Sequence, residues 1–284
     1  MRPCRPVVQL PSRGLDVDVG VIYTHERELM DRLLSTLAAA AEGVRMRLIL
    51  VDNRSADGVE PWKDRIAQTL AVENRRRLGY AANLNRILRA SSARYVLLLN
   101  TDMYFDPRDP CVQRMVRFMD RQPGCGIAGC RLYHEDGAPA YAARRFQTLP
   151  ILLARRLGLG RLMHPTLDWY LYRDRDPSGS WQCEWLSGCF LLIRRAAFED
   201  VGFFDEGFRK YFEDVDMCYR MARSGWQVTY HGATSCCHLE RRASKRLRSR
   251  DAWEHLRSYL RWHWKWGFSY AGDLARPEPL GRAA

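Results

Sequence analysis

Three apolar runs, each stopped by polar residues, constrain this chain more than any other feature. They are "VDVGVIYT" (17–24), "MRLILVDN" (46–53) and "RYVLLLNTD" (94–102). Each is too continuously apolar for a strand with one face in water. Segments of helical spacing separate them, as with Leu29, Leu33, Leu34 and Leu37. Buried strands alternating with helices predict an α/β chain with a mostly parallel central sheet and helices on both faces. Ligands of such sheets sit beyond the carboxyl ends of the strands. Thr24, Asp52, Asn53, Asn100 and Asp102 all fall there. One Asp or Asn at a strand end is an ordinary turn or cap residue, but three strand ends in a row point to a shared polar cleft.

Helical spacing also predicts helices over 59–71, 80–90 and 213–224, and a short one ending at Gly202. "CFLLIRR" (189–195) reads as a further buried strand, and Asp136-Gly137 as a hairpin turn. No element is placed between 148 and 180. With 284 residues and no linker or repeat, one domain with an elaborated C-terminal half is expected. The nine cysteines have no metal-ligand spacing and read as buried reduced thiols, which implies a cytosolic setting. No apolar stretch near the amino end has signal-peptide length, and none approaches a membrane span.

A net charge of +12 predicts attraction to polyanions. Nucleic acid is disfavoured, because no groove-reading or base-stacking motif accompanies the charge. The basic residues concentrate instead at Arg75–Arg77 and in "RRASKRLRSR" (241–250). The first cluster reads as surface. The second precedes "AWEHLRSYLRWHWKWGFSY" (252–270), whose aromatic and basic residues suit either an interfacial helix on an anionic bilayer or a helix packed on the domain.

Two patterns carry chemistry. Asn100-Thr101-Asp102 offers oxygen donors at a strand end, as Mg²⁺ or Mn²⁺ shared with a substrate phosphate requires. In "YFEDVDMCYR" (211–220), Glu213, Asp214 and Asp216 crowd together beside aromatics. Crowding and burial raise a carboxyl pKa, which suits a general base working near neutrality. The plainer reading makes all three helix N-terminal carboxylates facing the dipole. Asn83 and Asn85 read, on their own, as ordinary helix surface.

Taken together, these motifs resemble the family 2 inverting glycosyltransferases of GT-A nucleotide-diphospho-sugar transferase fold, in their rhamnosyltransferase-like branch. The resemblance rests on Thr24, "VDNRSADG" (51–58), Asn74 to Asn85 with Gly79, "LLNTD" (98–102), the block from Trp185 to Trp226, and His238. It covers about residues 17–270. It implies a nucleotide-sugar-binding half (17–132), an acceptor and catalytic half (133–240) and a basic, aromatic C-terminal helix (241–284). Thr24, Asp52, Asn53, Gly79, Asn85 and Asp102 would meet the nucleotide, with Asp52 reading a uracil or thymine ring. Asp102, Asn100 and His238 would hold a Mg or Mn divalent cation on the donor diphosphate. Asp214, with Glu213 beside it, would supply the catalytic base, and Asp205, Glu206 and Trp185 would shape the acceptor site. The implied reaction moves rhamnose from dTDP-rhamnose to a saccharide acceptor, lipid-linked through polyprenyl diphosphate or part of a surface polysaccharide. It would take place at the inner face of the membrane. UDP-hexose transfer and a non-catalytic sugar-nucleotide-binding relative are the alternatives. The chain departs from the family pattern at His25 and Glu26, after Thr24, and at Asn100, where a carboxylate is usual. Asp102 is thus the one firm carboxylate for a metal.

Overall fold

The computed structural model describes residues 14–66, 68–156, 163–239 and 250–267. The chain begins β1 (Val17–Tyr23), α1 (Arg27–Ala40), β2 (Met46–Asp52), a 3₁₀ turn (Glu60–Trp62), β3 (Thr69–Glu73), α2 (Tyr80–Ala90) and β4 (Tyr95–Leu99). It continues through β5 (Met103–Tyr104), α3 (Cys111–Arg121), β6 (Cys125–Tyr133), β7 (Ala143–Arg144), α4 (Leu149–Arg156) and α5 (His164–Tyr170). Next come β8 (Ser180–Gln182), β9 (Trp185–Leu186), β10 (Phe190–Arg194) and α6 (Arg195–Val201). The last described elements are α7 (Glu213–Arg223), β11 (Gln227–His238) and α8 (Arg250–Trp266).

Nine strands form one sheet in the order β3-β2-β1-β4-β10-β6-β11-β5, with β8 also on β11. The first four run parallel, and β10 enters antiparallel between β4 and β6. The three apolar runs are buried because helices cover both faces. Met30, Leu33, Leu34 and Leu37 of α1 and Ala81, Leu84, Ile87 and Leu88 of α2 supply the covering faces. At Gly20, in mid-β1, a Cβ would stand 2.2 Å from the Ile87 side chain. That position must be glycine for α2 to lie so close.

Residues 59–71 do not form the expected helix. Only a 3₁₀ turn at Glu60–Trp62 survives, and Thr69–Glu73 pairs in parallel with β2. Ladder bonds at a sheet edge here outweigh a helical pattern that Pro61 already interrupts. The Asp136-Gly137 turn closes a hairpin of a single bridge, Tyr133 to Pro139, with Gly137 at φ +80°. Gly202 ends α6 at φ +84°. The unassigned stretch contains α4 and α5. All eight cysteines among the described residues are buried and free. Most of the basic run 241–250 lies outside the described residues, as do 1–13 and 268–284.

Two buried carboxylates fasten opposite ends of the structure. Asp18, fully buried, accepts from Arg47 at 2.7 and 3.1 Å and from the Ser92 and Ala93 amides at 2.7 and 2.8 Å. Burial alone would raise its pKa, but these donors bring it below the usual carboxylate value. Asp216, also fully buried, accepts from Arg220 Nε at 2.9 Å and Trp266 Nε1 at 2.8 Å, and pairs with Lys265 Nζ at 2.8 Å. α8 is thereby locked onto α7. Removing one partner of a buried pair strands the other charge, so Arg47→Met and Lys265→Met should each cost about 3 kcal/mol in urea unfolding. Only Lys265→Met, beside the candidate site described below, should also lower activity.

Candidate active site

The polar cleft is built first by backbone clamps. Asp52 Oδ1 accepts the Ser55 amide at 2.7 Å, which closes the 52–58 turn and leaves Oδ2 with no hydrogen bond among the described residues. Asn53 exchanges hydrogen bonds with the Leu78 backbone, at 2.8 and 3.2 Å, and accepts from Asn74 at 3.1 Å. Asn74 also donates to Asn83 at 2.6 Å. Asn83 and Asn85 are therefore not helix surface, and each is 1% exposed. Asn85 does not fit a nucleotide contact either. Its amide donates to Phe204 O and Glu206 Oε1 and accepts the Phe204 N–H, each at 2.9 Å. It fastens α2 to the 204–206 turn. Gly79 caps α2, and a Cβ there would stand 3.1 Å from Arg209 O, so its glycine serves the approach of that loop. Thr24 is half-buried past β1, and Arg75, Arg76 and Arg77 are exposed, Arg77 meeting His25.

β11 brings its last residue to the end of β4. His238 Nε2 stands 3.4 Å from Asp102 Oδ2, and Leu239 N–H donates to Asp102 O at 2.9 Å. Burial disfavours the imidazolium of His238, but the Cys189 sulfur and the Asp102 carboxylate favour it more, and its pKa is raised. Asp102 Oδ1 is buried and accepts no hydrogen bond among the described residues. A buried, unpaired carboxylate oxygen is costly unless a cation meets it. Among the described residues no set of three or more His, Cys, Asp or Glu side chains could hold a metal. Two protein donors with the remainder from phosphate and water suit Mg²⁺ or Mn²⁺. Asn100 fits less well as a ligand, because its Oδ1 already accepts Tyr80 OH at 2.7 Å.

Tyr80 links this end of the cleft to the carboxylate cluster. Its hydroxyl also lies 3.4 Å from Gly188 O, and Gly188 N–H donates to Asp214 Oδ2 at 2.9 Å. Burial, reinforced by Glu213, Cys189, Asp214 and Asp102, holds the Tyr80 hydroxyl protonated. A Cβ on Gly188 would come within 3.3 Å of Asp214 Oδ2, so the glycine lets the loop reach the acid. Asp214 sits in the first turn of α7, entered through two consecutive left-handed residues, Tyr211 and Phe212, both at φ 69°. Such non-glycine conformations each cost about 1–3 kcal/mol and persist only where packing enforces them. Phe212 is held against Tyr259 and Trp262 of α8.

Burial raises the pKa of Asp214, partly opposed by the Gly188 and Val215 amides and by Arg144. Glu213 is raised further, by burial and by Asp214, and its Oε2 has no hydrogen bond among the described residues. The pair therefore titrates above the ordinary carboxylate range, and the two amides on Asp214 favour its charged form, whereas Glu213 Oε2 has no such donor among the described residues. Asp216 faces the other way, into the α8 lock. The three crowded carboxylates divide into a candidate base, a neighbour whose pKa is raised further, and a structural anchor.

On the far side, Trp185 donates to Arg145 O at 2.7 Å and carries Arg144 at 5.0 Å over its ring. Arg144, Ser187 and His238 line a cavity of about 290 Å³. Asp205 pairs with Arg261 and Lys265 of α8 at 3.0 and 2.8 Å, and Glu206 lies 3.8 Å from Arg89. Both brace the turn, and neither lines that cavity. Tyr80, Arg144 and Gly188 were not singled out as site residues from sequence. Tyr80 and Gly188 belong to motifs recognised there, but only the fold shows that they touch the same carboxylate chain.

Comparison with known proteins bears on the family and the fold. The profile of glycosyl transferase family 2 matches residues 18–202. The chain is 28% identical over 255 residues to the N-acetylglucosaminyl-diphospho-decaprenol L-rhamnosyltransferase of Mycobacterium tuberculosis, covering 85% of this chain and 80% of that one. It is 25% identical over 171 residues to the rhamnosyltransferase WbbL of Escherichia coli, covering 59% of this chain and 61% of that one. Among solved structures it resembles the Pyrobaculum calidifontis mannosyltransferase PcManGT in complex with GDP-Man and Mn²⁺. That likeness has a TM-score of 0.57 at 17% identity and covers 92% of this chain and 74% of the other. It also resembles GalNAc-T7 with UDP, GalNAc and Mn²⁺, with a TM-score of 0.60 at 14% identity, and spans about half of that chain, 49%. These likenesses show the GT-A fold, and the chain belongs to glycosyl transferase family 2.

Proposed function

We infer that this glycosyltransferase moves a deoxyhexose, rhamnose, from its nucleoside-diphosphate donor to a hydroxyl of a lipid-linked or polysaccharide-precursor sugar, with inversion. The observation that carries the reading is the connected chain Asn100–Tyr80–Gly188–Asp214, which joins the candidate diphosphate site to a buried base. In that reading Asp214 takes the proton of the acceptor hydroxyl as its oxygen bonds to the anomeric carbon. The bond from that carbon to the diphosphate breaks on the opposite face. Asp52, with Oδ2 uncommitted, faces the pyrimidine of a dTDP or UDP donor. Asp102 would hold the Mg or Mn cation, with His238 a ligand only once its ring nitrogen gives up its proton, and the cation would supply charge for the leaving diphosphate. Rhamnose and the lipid-linked acceptor are supported by what the rhamnosyltransferase relatives are named for. Residues 17–132 serve the donor and 133–240 the acceptor, Trp185 included.

α8 gives the chain a way to meet a lipid-borne substrate. Among the described residues no helix is long and apolar enough to cross a membrane. One face of α8 packs inward through Tyr259 and Trp262, while Trp253, Leu256, Leu260 and Trp264 are 70%, 39%, 59% and 84% exposed. Their 3–4–4 spacing puts them on one outer stripe. The inward face supports the reading of a helix packed on the domain, and the exposed stripe is the face an interfacial helix would use. We place the outer stripe in the interface of an anionic bilayer, with the basic run before it adding attraction.

Three measurements test this. dTDP or UDP with Mn²⁺ should raise the melting temperature of the wild type, and Asp102→Ala should abolish the metal-dependent part. If no nucleotide shifts the folded protein, the donor assignment is wrong. Asp214→Asn should lower kcat about 10³-fold. Because the base must be ionised and its pKa is raised, kcat/KM should fall as pH drops through a value above the ordinary carboxylate range. Glu213→Gln, which mimics the protonated acid, should keep most activity. A limb at the usual carboxylate pH would remove the burial explanation. Finally, Leu260→Glu/Trp264→Glu should release the protein from phosphatidylglycerol vesicles in sedimentation, with its melting temperature retained. Unchanged binding would exclude the stripe.

A further inference from the structure

A second and larger cavity, of about 880 Å³, lies beside the transfer cleft. Its size is that of a small-molecule site. Leu132, Pro139, Tyr141 and Leu171 line both it and the smaller cavity that Ser187 and His238 reach, so the two form one trough. We propose that this cavity is a saccharide subsite, holding the sugar of the acceptor beyond the one that is glycosylated. The inference rests on the transfer reading above and deepens it, because it requires an acceptor of at least two sugar units.

The wall is built and rigid. Tyr172, Trp181 and Tyr230 stack in series, with ring centroids 4.9 and 4.6 Å apart. Each polar tip is already satisfied by backbone. Trp181 Nε1 donates to Asp176 O at 3.1 Å, Tyr230 OH donates to Pro177 O at 2.8 Å, and Tyr172 OH accepts Glu184 N–H at 3.2 Å. The register between β6 and β11 breaks between His231 and Ser235, and the 177–179 turn rests on Gly232 there. A Cβ at Gly232 would stand 2.1 Å from Pro177 O, so the turn seats only on a glycine.

The rim carries what the wall has spent. Tyr133 and Tyr141 are half-buried, and among the described residues neither hydroxyl has a hydrogen-bond partner. Arg131 is exposed, and no carboxylate among the described residues lies within the 4.0 Å of an ion pair. Asp109 also lines the cavity, its oxygens accepting Thr234 OH at 2.9 and 3.0 Å and Ser235 N–H at 3.2 Å, with Arg114 at 3.5 Å. Aromatic bodies below a ring of donors and acceptors match a pyranose, which has apolar faces and hydroxyl edges. The cavity is lined by both signs of charge, Arg131, Arg173 and Arg175 with Asp106 and Asp109, which suits a neutral polar ligand, and a purely apolar chain would bury Arg131 unpaired.

The test uses the full chain without donor on an array of defined mono- to tetrasaccharides, beside the nucleotide melting shift. The wild type should retain a set of saccharides of two or more units. Arg131→Ala and Tyr141→Ala should each weaken that signal at least ten-fold while leaving the dTDP or UDP shift unchanged, which shows the fold and donor site intact. Once an active pair is found, Arg131→Ala should raise KM for a disaccharide acceptor, with kcat and the monosaccharide KM unaltered. Retention that is equal in the variants, or nucleotide binding with no saccharide retained, overturns the subsite and leaves the transfer reading standing. Loss of both nucleotide and saccharide binding in the wild type would overturn both.

Discussion

The burial of Asp216 is the constraint on which the C-terminal half of the described structure depends. A carboxylate with no solvent exposure is tolerable only when charged and polar donors surround it. Here they come from two helices, Arg220 on α7 and Lys265 and Trp266 on α8. Arg220 reaches on to the Val201 and Phe203 carbonyls at 2.7 and 2.8 Å, tying in the turn that follows α6. Lys265 also holds Asp205. One anion thus gathers α6, α7 and α8, and α8 in turn presses on Phe212.

That pressure explains how Asp214 is presented. The chain enters α7 through two left-handed aromatic residues, a conformation that neither Tyr nor Phe prefers. Packing of Phe212 under α8 holds it, so strain at the helix start is offset by aromatic contact two residues from the base. Gly188 then receives Asp214 on one side and Tyr80 on the other. Asp214 and the candidate cation site are parts of one hydrogen-bonded assembly whose members come from α2, the end of β4, the turn before β10 and α7.

Much of this was legible along the chain. β1, β2 and β4, their polar ends, α7 and the short α6 follow from local pattern, because continuous burial and helical periodicity leave marks in a one-dimensional sequence. The failures were also physical. Residues 59–71 read as helix, but Thr69–Glu73 took the open edge of β2, a long-range pairing that no local pattern announces. Asn83 and Asn85 read as surface because polarity is a poor guide to burial when partners are supplied by the Asn74 side chain and the Gly79 and Phe204 backbone. For Asp205 and Glu206, which the resemblance assigns to shaping the acceptor site, only the fold shows the partners Arg261, Lys265, Asn85 and Arg89.

By itself, then, the sequence determined the family, the alternation of strand and helix, and which carboxylates were worth suspecting, since residue type and spacing are properties of the chain alone. Only the tertiary structure decided how the three acids of "FEDVD" divide their work. Helical periodicity turns Asp214 and Asp216 to different faces, and what each face meets is decided far away in sequence. Asp214 meets the Gly188 amide and Asp216 meets α8, 26 and 50 residues distant. The same surroundings raise the pKa of Glu213, because burial beside another acid depends on three-dimensional packing that no spacing encodes.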